Sequence, residues 1–444
     1  MKKTNIYTIL LVLFGFFIVL IVARYHNKEK QSYGMLERTG PMSQTKEWMV
    51  TRNYATALQE SIGKNPADIK ANLALAALFI QEARVTGNYS YYDKAAMKYV
   101  NNILKMDSAN FEAMTFKSLI YLSQHHFADG LTIAEKAQRI NPYNAFIYGI
   151  LVDGNVEMGH YDSAVASADR MVSIRPDLRS YSRISYLREI YGDYPGAVRA
   201  MKMAVDAGAP GDEATEWARV QLGHLYEYTG DLRNAAMHYT IALDERPGYA
   251  YALAGLGRIE LEQKNYGRAI AYYLKADSLV KDYSFKEELV EMYKLSGEPS
   301  KADSLSRVVI EGMSRDASSS QQDENLGHYA DRELAYAYLK TGNFDKALEH
   351  ALTEYNRRPG NIDVNETVAW VYYCKGDYVK ALPFLHTAMK TKSKNPVLLC
   401  HAGLIYAKTG DKAAARSNLQ ESLQSNPNFA ASLKTEGMNT LKSL

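Results

Sequence analysis

The chain has 444 residues, a formal net charge of +2 from 52 Lys and Arg against 50 Asp and Glu, and two cysteines. That balance argues against a nucleic-acid partner, because a duplex-binding surface needs a clear basic excess or stripe. Two cysteines also make neither a disulfide framework nor a zinc ribbon.

The first predicted element is an uncharged run at residues 6–23, in which 14 of 18 residues are Ile, Leu, Val or Phe. As a helix it would span about 27 Å, enough for a thin hydrocarbon core. Its summed insertion free energy is roughly −4 to −8 kcal/mol. A cleaved signal peptide is the alternative, but its apolar core is normally about 7–15 residues long and ends in a small-x-small site. Ile21 and Ala23 supply only half of such a site. The expectation is therefore a retained, single-pass transmembrane signal-anchor. Lys2 and Lys3 precede it while Arg24, Lys28 and Lys30 follow, so Lys and Arg counts alone do not orient it. A short basic tail before the apolar run favours an extracytoplasmic position for the rest of the chain, periplasmic if the source is bacterial. Residues 24–46 are polar and read as a tether.

Residues 48–63 read as the second half of a hairpin, stopped at Asn65-Pro66, and 71–84 with 93–106 as a hairpin whose turn carries the extra residues 87–92. From Phe111 to Phe429 one pattern of 34 or so residues then returns nine times. Twelve residues separate two small positions in Ser118/Gly130, Ser185/Ala197, Gly223/Ala235, Gly257/Ala269, Ala335/Ala347, Ala369/Ala381 and Gly403/Ala415, with Val152/Ala164 and Val290/Ala302 as bulkier variants. Between them lies a turn such as Tyr191-Gly-Asp-Tyr194 or Thr409-Gly-Asp-Lys412. Glycine there ends one helix in the left-handed region, and Asp or Asn caps the next. A further small residue (Ala137, Ala204, Ala242, Ala276, Ala388) and then Pro142, Pro176, Pro247, Pro359 or Pro427 close the second helix. Each unit is a helical hairpin with small residues where its helices cross. Tyrosines, 34 against 12 phenylalanines, fill the space between hairpins.

This pattern resembles the tetratricopeptide repeat, over most of the chain from about residue 47 onward. The resemblance implies an all-α, right-handed α-solenoid of about ten antiparallel hairpins. Its expected parts are an array at 47–312, degenerate at its N-terminal end, a polar loop at 313–327, further repeats at 328–429 and a capping helix at 430–444. Departures from the pattern are Glu354 at a usually small position, Lys281 and Ser393 where Pro is usual, and Pro299 inside a turn.

No phosphate-binding glycine loop, nucleophile elbow or paired-histidine metal motif occurs. Cys374 and Cys400, on the first helices of neighbouring repeats, are offset by about 12 Å at helical rise and read as separate thiols. The expectation is a protein that is not an enzyme and takes no cofactor or metal. In the family, the first helix of each hairpin lines a concave groove. Carried over, the partner-binding positions are Arg183, Tyr186, Trp217, His224, Tyr228, Arg258, Tyr336 and Trp370, with Arg179, Glu189, Arg332 and Asp363 in the same register. Aromatic and Arg enrichment marks interaction hot spots, and Arg183, Tyr186, His224, Tyr228 and Arg258 are expected to form one basic-aromatic patch. No repeat combines the Lys and Asn of the family's carboxylate clamp. The function implied is a membrane-anchored scaffold or assembly factor binding a protein or extended peptide. A cell-envelope glycan module and a non-catalytic holder subunit of an enzyme complex are the alternatives.

Overall fold

The computed structural model describes residues 10–20, 33–322, 327–426 and 431–444, and among them there is no strand. The chain divides into two compact units, Met1–Glu37 and Arg38–Leu444. In the first, residues 10–20 form an exposed helix. Among the described residues no helix is long and apolar enough to cross a membrane. The rest of the expected span at 6–23, and its flanking charges, lie outside the described residues.

The second unit begins with a 3-10 helix, Gly40–Gln44, and an unpaired α-helix, Lys46–Lys64. Ten hairpins follow, hairpin 1 pairing Ile69–Thr86 with Tyr89–Met106, hairpin 2 Phe111–Ser123 with Phe127–Ile140, hairpin 3 Ala145–Met158 with Tyr161–Ile174, and hairpin 4 Leu178–Ile190 with Tyr194–Asp206. Hairpin 5 pairs Glu213–Tyr228 with Leu232–Glu245, hairpin 6 Ala250–Glu262 with Tyr266–Leu279, and hairpin 7 Tyr283–Leu295 with Pro299–Gln322. Hairpin 8 pairs Asp331–Lys340 with Phe344–Arg357, hairpin 9 Ile362–Lys375 with Tyr378–Ala388, and hairpin 10 Pro396–Thr409 with Lys412–Ser425. The helix Ala431–Ser443 ends the chain, its Leu433 and Leu441 packing against Cys400, Leu404 and Leu419 of hairpin 10. Pro427 lies outside the described residues.

The turn chemistry behaves as its sequence requires. Gly159, Gly192, Gly230, Gly342, Gly376 and Gly410 all have positive φ. Asp193, Asp231, Asn343 and Asp411 cap the helices that follow, each accepting from a backbone N–H of the first turn. Pro299 opens its helix, where the missing N–H costs nothing. The paired small residues Ala197, Ala235, Ala269, Ala347, Ala381 and Ala415 are fully buried at the crossings.

Three expectations need correction. The turn of hairpin 1 is short, because the second helix starts at Tyr89 and thereby buries Tyr92 against Phe79, ring centroids 5.8 Å apart. The expected loop at 313–327 is helical as far as Gln322. Val309 and Met313 pack on Ala330 and Leu334, and Tyr283 donates to Asp316, so the helix is held well past the usual stop. The C-terminal end of the expected tether is integrated into the array. Arg38 is buried in ion pairs with Glu82 and Glu47, Arg246 shares Glu47, and Thr39 donates to the Leu279 carbonyl.

These last contacts belong to a seam. The turn inside hairpin 1 meets the connection after hairpin 6, where Lys281 N–H donates to Thr86 O at 3.1 Å. The turn of hairpin 2 meets the connection after hairpin 7, with Tyr329 N–H donating to Gln124 O and the rings of His125 and His126 donating to Tyr329 O and Gly327 O. The turn of hairpin 3 meets the connection after hairpin 8, where Asn361 donates to Glu157 O, Ile362 N–H donates to the Tyr161 hydroxyl, and Arg358 pairs with Glu157. Gly192 of hairpin 4 packs against Lys392 and Lys394, after hairpin 9. The solenoid therefore returns onto itself after about six repeats of the periodicity that builds it.

Two departures from the repeat pattern find their cause there. Lys281 replaces Pro where an N–H must cross the seam. Glu354 is buried beneath Arg358, which bridges it to Glu157 on the adjoining turn.

Candidate functional site

Because one turn lies against the next, first helices of hairpins 4 and 5 face those of hairpins 8, 9 and 10 across a cavity of about 430 Å³. Tyr186 and Glu189 come from hairpin 4, Tyr228 from hairpin 5, Arg332 and Tyr336 from hairpin 8, Asp363 and Glu366 from hairpin 9, and His401 from hairpin 10. Ile190, Ile362, Val397 and Leu398 supply apolar wall. Tyr186 keeps 39% of its surface accessible, and that surface faces the cavity rather than an open exterior.

A linked set of polar bonds organises the second-turn wall. Tyr336 donates its hydroxyl to Glu366 Oε2 at 3.0 Å, and His401 Nδ1 donates to Glu366 Oε1 at 2.6 Å. Trp370 stacks on the His401 ring at 3.7 Å and on Tyr373 at 4.8 Å, which fixes the imidazole plane. Burial alone would raise the Glu366 carboxyl, but the His401 bond and charge, with Arg332, outweigh it and hold it below the ordinary value. Among the described residues Glu189 has no such donor, and burial together with Asp363 pushes it up to about 7. Burial and the Glu189 carboxylate raise the Tyr228 hydroxyl, which stays protonated and can donate.

Of the eight groove positions carried over, Tyr186, Tyr228 and Tyr336 reach this cavity together. Trp370 acts behind it, through His401. Trp217 is half-buried between the cores of hairpins 4 to 6. His224 presents its edge to Tyr239, and burial and then Arg258 depress its pKa far below the usual range, so it carries no charge at neutral pH. Arg183 forks onto Asp153 and also donates to Gly149 O. Arg258 pairs with Glu227 at 2.9 Å, donates to the Tyr239 hydroxyl and lies over that ring. Each arginine is thus paired with an acid one repeat earlier, so neither brings an unpaired charge to the basic-aromatic patch expected from register. Glu366 and His401 were not singled out, although both fall on the inward face of a first helix. Glu366 is the fifth position of the helix that also carries Asp363 and Trp370, and extending the same register into hairpin 10 finds His401.

The site offers tyrosine faces and hydroxyls beside three carboxylates, one guanidinium and one imidazole. Among the described residues no group of His, Cys, Asp and Glu could hold a metal ion. Cys374 and Cys400 are free thiols that burial pushes up to about 12, far from thiolate chemistry at neutral pH.

Models of the tetratricopeptide repeat match residues 220–283 and 397–429. Superkiller protein 3 of Saccharomyces cerevisiae is 26% identical over 136 residues, a stretch covering 28% of this chain and only 9% of that protein. Among solved structures, a tetratricopeptide repeat protein from Parabacteroides merdae aligns over 56% of this chain and 93% of its own, at 17% identity and a TM-score of 0.42. The human IFIT1 dimer with PPP-AAAA aligns over 78% of this chain and 79% of its own, at 13% identity and 0.48.

Proposed function

We propose that this chain, a carrier of tetratricopeptide repeats, is a non-catalytic scaffold or assembly factor that binds a protein, or an extended segment of one, between its two superhelical turns. The observation that supports this reading is the convergence of Tyr186, Tyr228 and Tyr336 with Glu189, Asp363 and Glu366 on one cavity. Tyrosine offers a large contact face at little rotamer cost, plus a polar tip that must find a partner. With Glu189, Asp363 and Glu366 facing Arg332 and His401, the wall offers both acceptors and donors and suits a segment rich in amide, hydroxyl or basic groups. The apolar run at 6–23 supports membrane anchoring of the array, and the short basic tail before it favours the extracytoplasmic side. A glycan ligand is less well served than its composition suggested, since Trp370 is already stacked on His401 and Tyr373.

The test is crosslinking capture with the full-length chain. Tyr228→Ala combined with Tyr336→Ala should weaken capture by roughly 2 kcal/mol or more, about thirtyfold, with helical content unchanged. Lys275→Ala, on an exposed outer helix face, should change nothing. Equal loss from both variants, or loss only through unfolding, would remove the cavity from the binding surface. A reporter active only outside the cytoplasm, fused after Leu444, checks the orientation.

A further inference from the structure

A second cavity, of about 360 Å³, lies between the turns near hairpins 1, 2 and 7 and is lined by none of the residues of the first. Its wall carries five carboxylates, Asp93, Asp282, Glu287, Asp316 and Glu333. Lys281, His125 and His328 are the basic groups on the same wall. Burial pushes both histidines down to about 4, so they are neutral at physiological pH, which leaves Lys281 and Lys340, the latter donating to the Glu287 carbonyl, as the cations beside the carboxylates. Some acids are internally engaged, since Asp93 accepts from Ser123 and Asp316 from Tyr283.

Three acceptors are not. Gln124, only 4% exposed, lines the cavity with an Oε1 that has no hydrogen-bond partner among the described residues. Glu287 Oε1 and Glu333 Oε2, on side chains that are only partly buried, are themselves buried atoms with no hydrogen-bond partner among the described residues. They come from three separate segments, so no local turn geometry explains them. Leaving a buried acceptor unpaired costs about 1–3 kcal/mol, more when charged, and such groups in a native fold call for a missing donor. The donor must carry positive charge to answer the carboxylates. A bare metal ion fits poorly, because hard cations need several oxygens converging at about 2.0–2.6 Å, and no described group of side chains does so. An organic cation fits better: Tyr89, Tyr251 and Tyr283 supply ring surface for its methylene chain and for cation–π contact.

We propose that this cavity binds a flexible aliphatic cation bearing primary or secondary ammonium groups, whose N–H donors satisfy Gln124, Glu287 and Glu333. The same chemistry comes from a free polyamine or from lysine side chains of a bound peptide. The site is separate from the first cavity and stands whether or not a protein occupies that one.

Titration calorimetry of the full-length chain decides it, with spermidine, a blocked peptide carrying two lysines, and 1,8-octanediol as an uncharged chain of similar length. Saturable one-site binding of spermidine, of the peptide, or of both supports the proposal, and which of them binds identifies the source of the ammonium groups. Glu287→Gln with Glu333→Gln should raise Kd at least tenfold, and Gln124→Met about threefold, while the far-ultraviolet spectrum and thermal profile stay the same. Should Gln124→Met fail to fold, Glu333→Gln alone, at a partly exposed side chain, gives an independent reading. No binding of either cation, equal binding of the diol, or cation binding unchanged in the double variant would overturn the assignment.

Discussion

Gly159 and Gly410 occupy equivalent turns of hairpins 3 and 10, with φ of 78° and 93°, yet only one lies on the seam. Replacing either by Ala forces an L-residue into the left-handed region at about 1–2 kcal/mol. At Gly410 nothing else lies within 4 Å of the new Cβ. At Gly159 the Cβ would overlap the Gly360 carbonyl and approach Asn361 N to 2.7 Å. Those are backbone atoms, so the turns themselves must separate, with an overpacking cost of about 1–3 kcal/mol. Separation also loosens the bonds from Asn361 to Glu157 O and from Ile362 N–H to Tyr161. Gly159→Ala should therefore cost about 2 kcal/mol beyond Gly410→Ala, and the difference should concentrate at the seam. Native-state hydrogen exchange is the suitable assay, since a repeat array does not unfold in two states. The Ile362 amide should exchange about thirtyfold faster in Gly159→Ala and unchanged in Gly410→Ala. Equal acceleration by both, or none at Ile362, would refute contact between the turns.

Lys281→Pro, which restores the family's usual residue, should destabilise by about 1 kcal/mol in urea denaturation, because it deletes the N–H donated to Thr86. Ala235→Leu and Ala269→Leu should each cost about 1–3 kcal/mol and split the melt into visible steps; an unchanged profile for both would discredit the repeat register. Glu366 titrates below its unfolded value, so its contribution is present above about pH 4.5 and lost as pH falls through the depressed folded value. His401→Gln should remove much of that acid dependence, read as the urea midpoint between pH 3 and 7. Glu189 behaves oppositely, its carboxyl raised to about 7, so Glu189→Gln should raise the midpoint at pH 8 and leave it unchanged at pH 4.

The hairpins were legible in the sequence because their determinants are local. A left-handed glycine, an Asp cap and a small crossing residue act within about a dozen positions, and Gly192, Asp193 and Ala197 do what their types require. The seam was not legible, since Lys281 with Thr86, or Arg358 with Glu157, are joined only by superhelical pitch, which no short window encodes. The site inherits that limit. Register placed Tyr186 and Tyr228 on one face of neighbouring helices, but it could not show that Tyr336 and Glu366 would face them from the next turn. Nor could it show that Asp153 and Glu227 would neutralise Arg183 and Arg258. The polar composition of 313–327 misled because helix length there is set by what Met313 packs against.

The seam also sets an order of events during synthesis. The turns at Gly87, His125, Gly159 and Gly192 rest against connections made some two hundred residues later, an interval of roughly 10–40 s at ordinary elongation rates. Until then hairpins 1 to 5 can stack only on their sequence neighbours, and the inward tyrosines of hairpins 4 and 5 stand open to solvent. Hairpins 8 to 10 then act as a wall arriving late, and the nascent array passes from a one-dimensional stack to a body braced in two directions.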